Sequence, residues 1–310
     1  MIFSENNWHG WVYGNQPEYT KQVPNQPFRT FHRKSTITVG TYKEELIKAA
    51  QSTIDTYPNQ KFTLFFSGGA DSELVLRSYL AINHPIEVII YRYENDYNLY
   101  DVSYAVTICS MLGVPYKLID FNLQKFYEND AEKYSEISEI DRPRALPHLK
   151  FLETTDNIGI LGQGDPWWYR KEYIDYTVKG TWEYKDTESF VGAAKFIKHI
   201  NKPSIDRWLK WTPGLFLSYT KLNWFKTLSN DGIIGKAGVN STKLQGYREA
   251  YPEILDRNKL TGFEKIDELI NEFESFLSKK NNGLVYRQDY VMSLSQIEQD
   301  ILGSSNQLDN

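Results

Sequence analysis

A short glycine-containing run, Phe65–Ser72, combines residue types that can hold a polyphosphate. Adjacent glycines lack Cβ atoms, so their backbone amides can approach an anion closely. Serine hydroxyls are short donors, and a nearby carboxylate can hold Mg²⁺ against phosphate oxygens. A helix that begins after the glycines would add unpaired N–H groups and the positive end of its dipole. The run therefore predicts a phosphate-binding loop made of Ser67, Gly68, Gly69, Asp71 and Ser72, with Asp71 also the metal ligand.

The segments on both sides of this loop predict alternating strands and helices. Apolar residues recur at helical spacing in 41–57 and 101–112, and Gly113 and Pro115 end the second of these helices. Four short apolar runs predict strands: 62–66, 86–91, 116–120 and 158–161. This alternation is typical of an α/β fold with a parallel sheet and helices on both faces. The loop then lies at the carboxyl end of a strand, where ligands of such sheets gather.

Better-known phosphate and hydrolase motifs do not match. The chain has no Gly-x-x-x-x-Gly-Lys-Ser/Thr and no Gly-x-Ser-x-Gly. The run that starts at Gly162 lacks the third glycine of a dinucleotide fingerprint, because Trp167 stands there. The plain alternative for Ser67–Ser72 is an ordinary strand-to-helix turn with a capping serine.

At Ser67–Ser72 the sequence resembles the PP-loop ATP pyrophosphatases, whose signature is Ser-Gly-Gly-x-Asp-Ser. That family includes NAD and GMP synthetases, tRNA-modifying ligases and thiolases, and asparagine synthetase. The resemblance implies an adenine nucleotide alpha hydrolase-like fold with ATP and Mg²⁺ as cofactors. It also implies that the loop grips the β- and γ-phosphates, which leaves the α-phosphate open to attack by a carboxylate or carbonyl oxygen and gives AMP and pyrophosphate.

Further segments look like the synthetase domain of asparagine synthetase. A helix at Glu44–Tyr57 leads into the loop-bearing strand, and the stretch from Glu94 to Gly113 is similar to the family's acidic-tyrosine segment and its Leu-Gly helix end. The resemblance implies that Tyr91 flanks the adenine and ribose. It also aligns Leu161–Asp165 with a Gly-Glu-Gly-Ala-Asp-Glu motif, although glutamine replaces the glutamate. The residues so implied are Gly162 and Gly164 for the nucleotide and Asp165 for the metal.

A later segment adds a cation. Tyr251–Lys259, followed by Gly262-Phe263, looks like the family's proline–glutamate…arginine-x-lysine…glycine-phenylalanine segment. The resemblance implies that Lys259, with Asp71, is catalytic, because a fixed ammonium stabilises the charge of departing pyrophosphate. The alternatives are a solvated lysine at a helix end for Lys259 and a turn residue ahead of Pro166 for Asp165.

These matches divide the chain into three parts. Residues 1–40 are expected to form an irregular extension or short strands, and 41–180 a PP-loop ATP-binding α/β domain. No strong strand pattern follows Gly180, so 181–310 are expected to be mainly helical and to contribute to the active site.

Composition limits the environment and the nitrogen source. The chain has 310 residues, a net charge of −5 and a single cysteine, Cys109, in an apolar run. This excludes an internal disulfide and a cysteine-rich metal site and predicts a buried, inert thiol. Without an apolar span or a signal peptide, the expected location is the cytoplasm, with no membrane contact. Because the chain begins Met1-Ile2, it lacks the amino-terminal cysteine of glutamine-dependent enzymes, so free ammonia, an amine substrate or a separate amidotransferase partner is expected to supply the nucleophile.

Three functions remain open from sequence alone. The first is an ATP-dependent ligase that adenylates a carboxylate or amide-type oxygen and transfers it to an amine or ammonia. The second directs the same chemistry to a base in RNA or DNA, through cations and aromatics interleaved in Lys195–Trp211, although an amphipathic helix packed through Phe196, Ile197 and Ile200 also explains that stretch. The third is a non-catalytic nucleotide-binding protein, which the altered motif at Gln163–Asp165 favours.

Overall fold

The structure is a computed structural model that describes residues 6, 8–14, 28–163, 168–170, 182–185, 188–225, 239–257, 260–280 and 291–302. Within these ranges, every helix is too short or too polar to cross a bilayer. The strands are β1 (His9–Tyr13), β2 (Phe28–His32), β3 (Phe62–Phe65), β4 (Glu87–Tyr93), β5 (Tyr116–Phe121), β6 (Ile158–Leu161), β7 (Trp168–Arg170), β8 (Trp182–Lys185), β9 (Ser204–Ile205) and β10 (Val291–Ser293). The helices are α1 (Tyr42–Thr56), α2 (Ala70–Ala81), α3 (Leu99–Leu112), α4 (Leu123–Asn129), α5 (Ala131–Ser138), α6 (Leu146–Thr154), α7 (Glu188–His199), α8 (Pro213–Ser218), α9 (Val239–Ala250), α10 (Asp267–Lys280) and α11 (Leu294–Leu302).

A five-stranded parallel sheet in the order β5-β4-β3-β6-β9 forms the centre of the molecule. Its middle strand is β3, in which Leu64 lies between Val88 of β4 and Ile160 of β6. The other two sheets are smaller and antiparallel, one made of β1 and β2 and one ordered β10-β8-β7. All four strands predicted from the sequence are present in the parallel sheet.

Helices cover both faces of this sheet because its strand residues alternate between two cores. On one face, Phe62, Leu64 and Phe66 pack in a core formed with α1, α2, α3, α8, α9 and α11. On the other face, Phe65 and Leu161 pack in a core formed with α4, α5, α6, α7 and α10. The predicted fold class is therefore confirmed.

The helices next to the loop begin and end where the sequence indicates. Thr41 caps α1, since its hydroxyl accepts from the Glu44 amide while the Glu44 carboxylate accepts from the Thr41 amide at 2.8 Å. The residue after α3 is Gly113, with a φ of 66° in the left-handed region, which ends the helix as predicted.

Two regions differ in detail from the sequence-based expectation. The strands β8, β9 and β10 lie beyond Gly180, where no strong strand was expected. The fifth strand of the parallel sheet, β9, has two residues, which are too few to show a period. In residues 1–40 the short-strand alternative is right, because β1 pairs with β2 from His9 opposite His32 to Tyr13 opposite Phe28.

Candidate functional site

The predicted phosphate loop connects the central strand to its helix. Phe66 donates its N–H to the Ile89 carbonyl at 2.8 Å, which extends the pairing of β3 with β4 by one residue. The chain then turns through Ser67–Gly69, and α2 begins at Ala70. Gly69 is the N-cap and provides no side-chain cap, so the first turn of α2 keeps backbone donors for a ligand.

The loop needs glycine at Gly68. This residue has a φ of 76°, and a Cβ there would lie 2.3 Å from the Asp101 carbonyl oxygen and 2.9 Å from the Ala105 nitrogen, both in the backbone of α3. Any side chain would therefore force α3 away from the loop. The glycine allows the loop to lie directly on α3.

Gly162 allows a second close approach. A Cβ at this position would lie 2.4 Å from the Ser72 Cα atom, so the turn after β6 packs directly against the first turn of α2. The structure thus places Gly162, which was predicted from a motif far away in the sequence, beside the loop Ser67–Ser72.

The serine hydroxyls of the loop close it on itself. Ser72 Oγ donates to the Gly69 carbonyl at 2.9 Å, and Ser67 Oγ accepts from the Gly69 N–H at 3.3 Å. The two hydroxyl oxygens are 3.4 Å apart. Both side chains line a cavity, so they are placed to turn towards a bound anion.

Two side chains of α9 donate hydrogen bonds to the Asp71 carboxylate. Lys243 Nζ donates to Oδ2 of Asp71 at 2.9 Å, and the Tyr247 hydroxyl donates to Oδ1 at 2.5 Å. Lys243 and Tyr247 are one helical turn apart, which puts them on the same face of α9. Sequence reasoning missed both, because they lie 172 and 176 residues from Asp71 and belong to no motif.

Arg257 contacts the loop from another direction. Its guanidinium donates to the Gly68 carbonyl and pairs with Glu73, a fully buried residue of α2. Arg257 was noticed only as part of the segment that carries Lys259. The arginine itself turns out to touch the loop.

A cavity of about 580 Å³ opens over the loop and has two unlike ends. Ser67, Gly69, Asp71, Lys243 and Arg257 form a polar end. The other end is aromatic and includes Phe65, Tyr91, His148, Phe151 and Phe263. A volume of this size is typical of sites for small molecules and cofactors.

Tyr91 is held at the aromatic end of the cavity. Its ring stacks on Phe151 with centroids 3.8 Å apart and planes 14° apart, and its hydroxyl lies 2.9 Å from Thr154 Oγ1. Burial raises the pKa of the Tyr91 hydroxyl above its ordinary value, so the ring is neutral near pH 7. A neutral aromatic wall suits a flat base.

Six of the predicted nucleotide-binding residues line the cavity together: Ser67, Gly69, Asp71, Ser72, Tyr91 and Gly162. Gly68 lies within the same loop with its carbonyl turned to Arg257. Gly164, Asp165 and Lys259 lie outside the described residues. Among the residues that are described, no group of three or more histidine, cysteine, aspartate or glutamate side chains is arranged to hold a metal. Asp71 alone still suits Mg²⁺, since this ion is commonly held by one or two carboxylates plus substrate phosphates.

The stretch Lys195–Trp211, considered as a nucleic-acid surface, is mostly interior. Trp208 and Trp211 are 0% exposed, and Lys210 and Arg207 are buried with them. Phe196 and Ile197 pack in the core beside α5 and α6. Because buried rings cannot stack on bases, the base-binding interpretation is wrong for these aromatics and the amphipathic-helix interpretation is right.

Cys109 is also buried as predicted, and burial raises the pKa of its thiol to about 11.

The fold and site define an α/β protein with a glycine-containing loop at the carboxyl end of its central strand, where it opens into a cavity. No protein family and no curated protein matches the chain. Among solved structures, an NH3-dependent NAD synthetase from Campylobacter jejuni is 20% identical, with a TM-score of 0.29, over 40% of this chain and 56% of that one. The chain therefore matches little more than half of that enzyme's length.

Two further solved structures are similar over more of the chain. NMN synthetase from Francisella tularensis is 14% identical with a TM-score of 0.31, over 70% of this chain and 97% of that one. A predicted subunit of tRNA methyltransferase from Methanocaldococcus jannaschii is 15% identical with a TM-score of 0.31, over 63% and 87%. These scores are low, so the fold class rests on the observed sheet.

Proposed function

We propose that the protein is an ATP-dependent ligase that forms AMP and pyrophosphate. The observation that carries this proposal is the loop Ser67–Ser72, which sits between β3 and α2, packs on α3 through Gly68 and opens into a cavity that also holds Lys243 and Arg257. A loop with backbone donors, hydroxyls and nearby cations is suited to a chain of phosphates.

The two ends of the cavity divide the binding of ATP. The aromatic end, with the Tyr91–Phe151 stack, takes the base. The Gly69 amide, the hydroxyls of Ser67 and Ser72, and the first turn of α2 take the β- and γ-phosphates. Asp71 would hold Mg²⁺, which would neutralise phosphate charge there. Lys243 is within reach of the same phosphates because it already contacts Asp71.

The reaction then has two steps. A carboxylate or amide-type oxygen of the acceptor attacks the α-phosphorus; the new O–P bond forms as the bond to the β-phosphate breaks, and pyrophosphate leaves with that electron pair. An amine or ammonia next attacks the activated carbon, AMP leaves, and the nitrogen releases a proton to solvent. Lys243 stabilises the charge that grows on the leaving pyrophosphate, together with Lys259, which matches the phosphate-contacting lysine of the family that the sequence resembles. In this proposal the protein is a ligase of the asparagine synthetase-like type with an adenine nucleotide alpha hydrolase-like fold. Its substrate is a small-molecule carboxylate, and it acts in the cytoplasm.

Product analysis tests the proposal directly. We expect α-labelled ATP, Mg²⁺, ammonia and a panel of carboxylic acids to yield labelled AMP, and we expect Asp71→Ala to lower both ATP binding and AMP formation by at least roughly tenfold. Asp55→Ala is the matched control, because Asp55 is an exposed carboxylate on α1. ADP as the only product, or bound ATP that is never cleaved with any acceptor, would overturn the ligase and favour a non-catalytic nucleotide-binding protein.

A further inference from the structure

A row of four charged side chains, three of them buried and the fourth, Glu253, exposed, joins α2 to the segment that follows α9. Glu73 lies at its centre and is 0% exposed. On one side Arg77 contacts Glu73 Oε1 at 2.7 Å and Glu253 at 2.6 Å. On the other side Arg257 contacts Glu73 Oε2. The order of charges along the row is therefore plus, minus, plus, minus.

Because Glu73 is buried, its carboxylate depends on its charged partners. A carboxylate removed from water is stable only when its partners neutralise it and satisfy its oxygens, and loss of one partner leaves an uncompensated charge. Glu73 has a guanidinium on each of its two oxygens. The pairing therefore fixes the position of Arg257, whose side chain is only 7% exposed, relative to α2.

Arg257 also controls the orientation of a peptide group in the loop. It donates to the Gly68 carbonyl, which belongs to the peptide that joins Gly68 to Gly69. In a planar trans peptide the C=O and N–H point in opposite directions. Since Arg257 holds the carbonyl on its own side, the Gly69 N–H points away from it, towards Ser67 Oγ, and both of these residues line the cavity.

We propose that Glu73 and Arg257 form a positioning pair that keeps the Gly69 N–H aimed at a bound diphosphate. Neither residue needs to touch the ligand: Glu73 holds Arg257, and Arg257 holds the peptide. This inference rests on the proposed function for the loop and adds the residues that orient it.

Arg77 offers a matched comparison for Arg257. Both arginines are 7% exposed and both contact Glu73, but Arg77 continues to Glu253 instead of to the loop. Replacing either one by lysine keeps a positive charge near Glu73 and removes the planar fork. The two variants should therefore lose similar stability, and only one should disturb the loop.

The experiment measures binding of Mg-pyrophosphate and of Mg-ATP to the full chain by calorimetry. We expect Arg257→Lys to weaken both affinities about tenfold, while Arg77→Lys stays within about twofold of the original protein. In ¹⁵N–¹H spectra of the free protein, the Gly69 amide resonance should move in Arg257→Lys and not in Arg77→Lys. Glu73→Gln keeps the shape and a hydrogen-bonding oxygen but loses the charge, and should move the same resonance, so it replaces Arg257→Lys if that variant does not fold.

Two outcomes would overturn the inference in different ways. Equal affinities and an unmoved Gly69 resonance in both lysine variants, with tight binding by the original protein, would show that the row is only structural and would leave the proposed function standing. No binding of either ligand by the original protein would remove the proposed function and this inference with it.

Discussion

The sequence suggests ligand binding for both the loop Ser67–Ser72 and the segment Arg207–Trp211. In the structure the loop lines a cavity, whereas the segment is buried. The loop has no cation at all, yet it opens into the cavity. The segment has two cations, Arg207 and Lys210, and two tryptophans, Trp208 and Trp211, and all four side chains are buried. Side-chain type alone did not distinguish a surface from a core; the strand-to-helix position of the two glycines did.

The largest effect should come from the buried segment. Trp208→Ala is expected to lower the free energy of unfolding by about 3–5 kcal/mol, because it removes a fully buried ring beside Tyr79. Denaturant unfolding measures this loss. Phe276→Ala is the control, since that ring is 43% exposed on α10. An unchanged unfolding free energy together with lost oligonucleotide binding would restore the nucleic-acid interpretation.

A slightly smaller effect is expected at the loop. Gly68→Ala should cost about 1–2 kcal/mol for a left-handed backbone and a further ~1–3 kcal/mol for contact with α3, and it should abolish Mg-ATP binding. Gly113→Ala is the matched control, because Gly113 also has a positive φ, 66°, but nothing lies within 4 Å of the added Cβ. Its loss should be limited to the backbone cost. If both variants lose the same stability and both still bind ATP, the close approach of loop and α3 has no functional meaning.

Removal of the Lys243 charge on α9 should weaken Mg-ATP binding with little effect on folding. Lys243→Gln is expected to weaken Mg-ATP affinity by roughly tenfold, since it removes a charge that contacts Asp71 and faces the cavity. Lys221→Gln, at an exposed lysine, should leave the affinity unchanged. Calorimetric titration of both variants decides the matter, and equal dissociation constants would remove Lys243 from the site.

The smallest effect is expected in the labelling rate of the Cys109 thiol, which lies on α3 behind the loop. Cys109 lies on α3, the helix that contacts Gly68, and burial raises its pKa to about 11. Below that pH the thiol stays protonated, and only the thiolate reacts. At pH 8 we expect a thiol reagent to label Cys109 only as fast as the protein opens, so the rate reports whether a loop variant loosens α3. Rapid, stoichiometric labelling of the untreated native protein would contradict this expectation.

Local signals made much of the fold and loop predictable. Strands such as 62–65 and 158–161 are continuous apolar runs, and Gly113 ends α3 through a backbone conformation that glycine adopts readily. The loop is contiguous in sequence, so its glycines and hydroxyls could be recognised together.

Residues brought to the loop by tertiary contacts could not be found in this way. Lys243, Tyr247 and Arg257 reach the loop from more than 170 residues away, and each belongs to a stretch whose polar residues are also typical of a solvated helix face or a turn. The strand β9 was missed for a different reason: its two residues gain their meaning only from pairing with Gly159 and Ile160.

That late strand has a consequence for cutting the chain. In the intact molecule β9 pairs with the outer side of β6, and all four residues of β6 are buried. A fragment that stops near residue 180 would leave the backbone of Ile158–Leu161 unpaired on that side. An exposed edge strand of this kind can pair with strands of neighbouring copies. Residues 1–180, expressed by themselves, should aggregate even though they contain the whole of Ser67–Ser72.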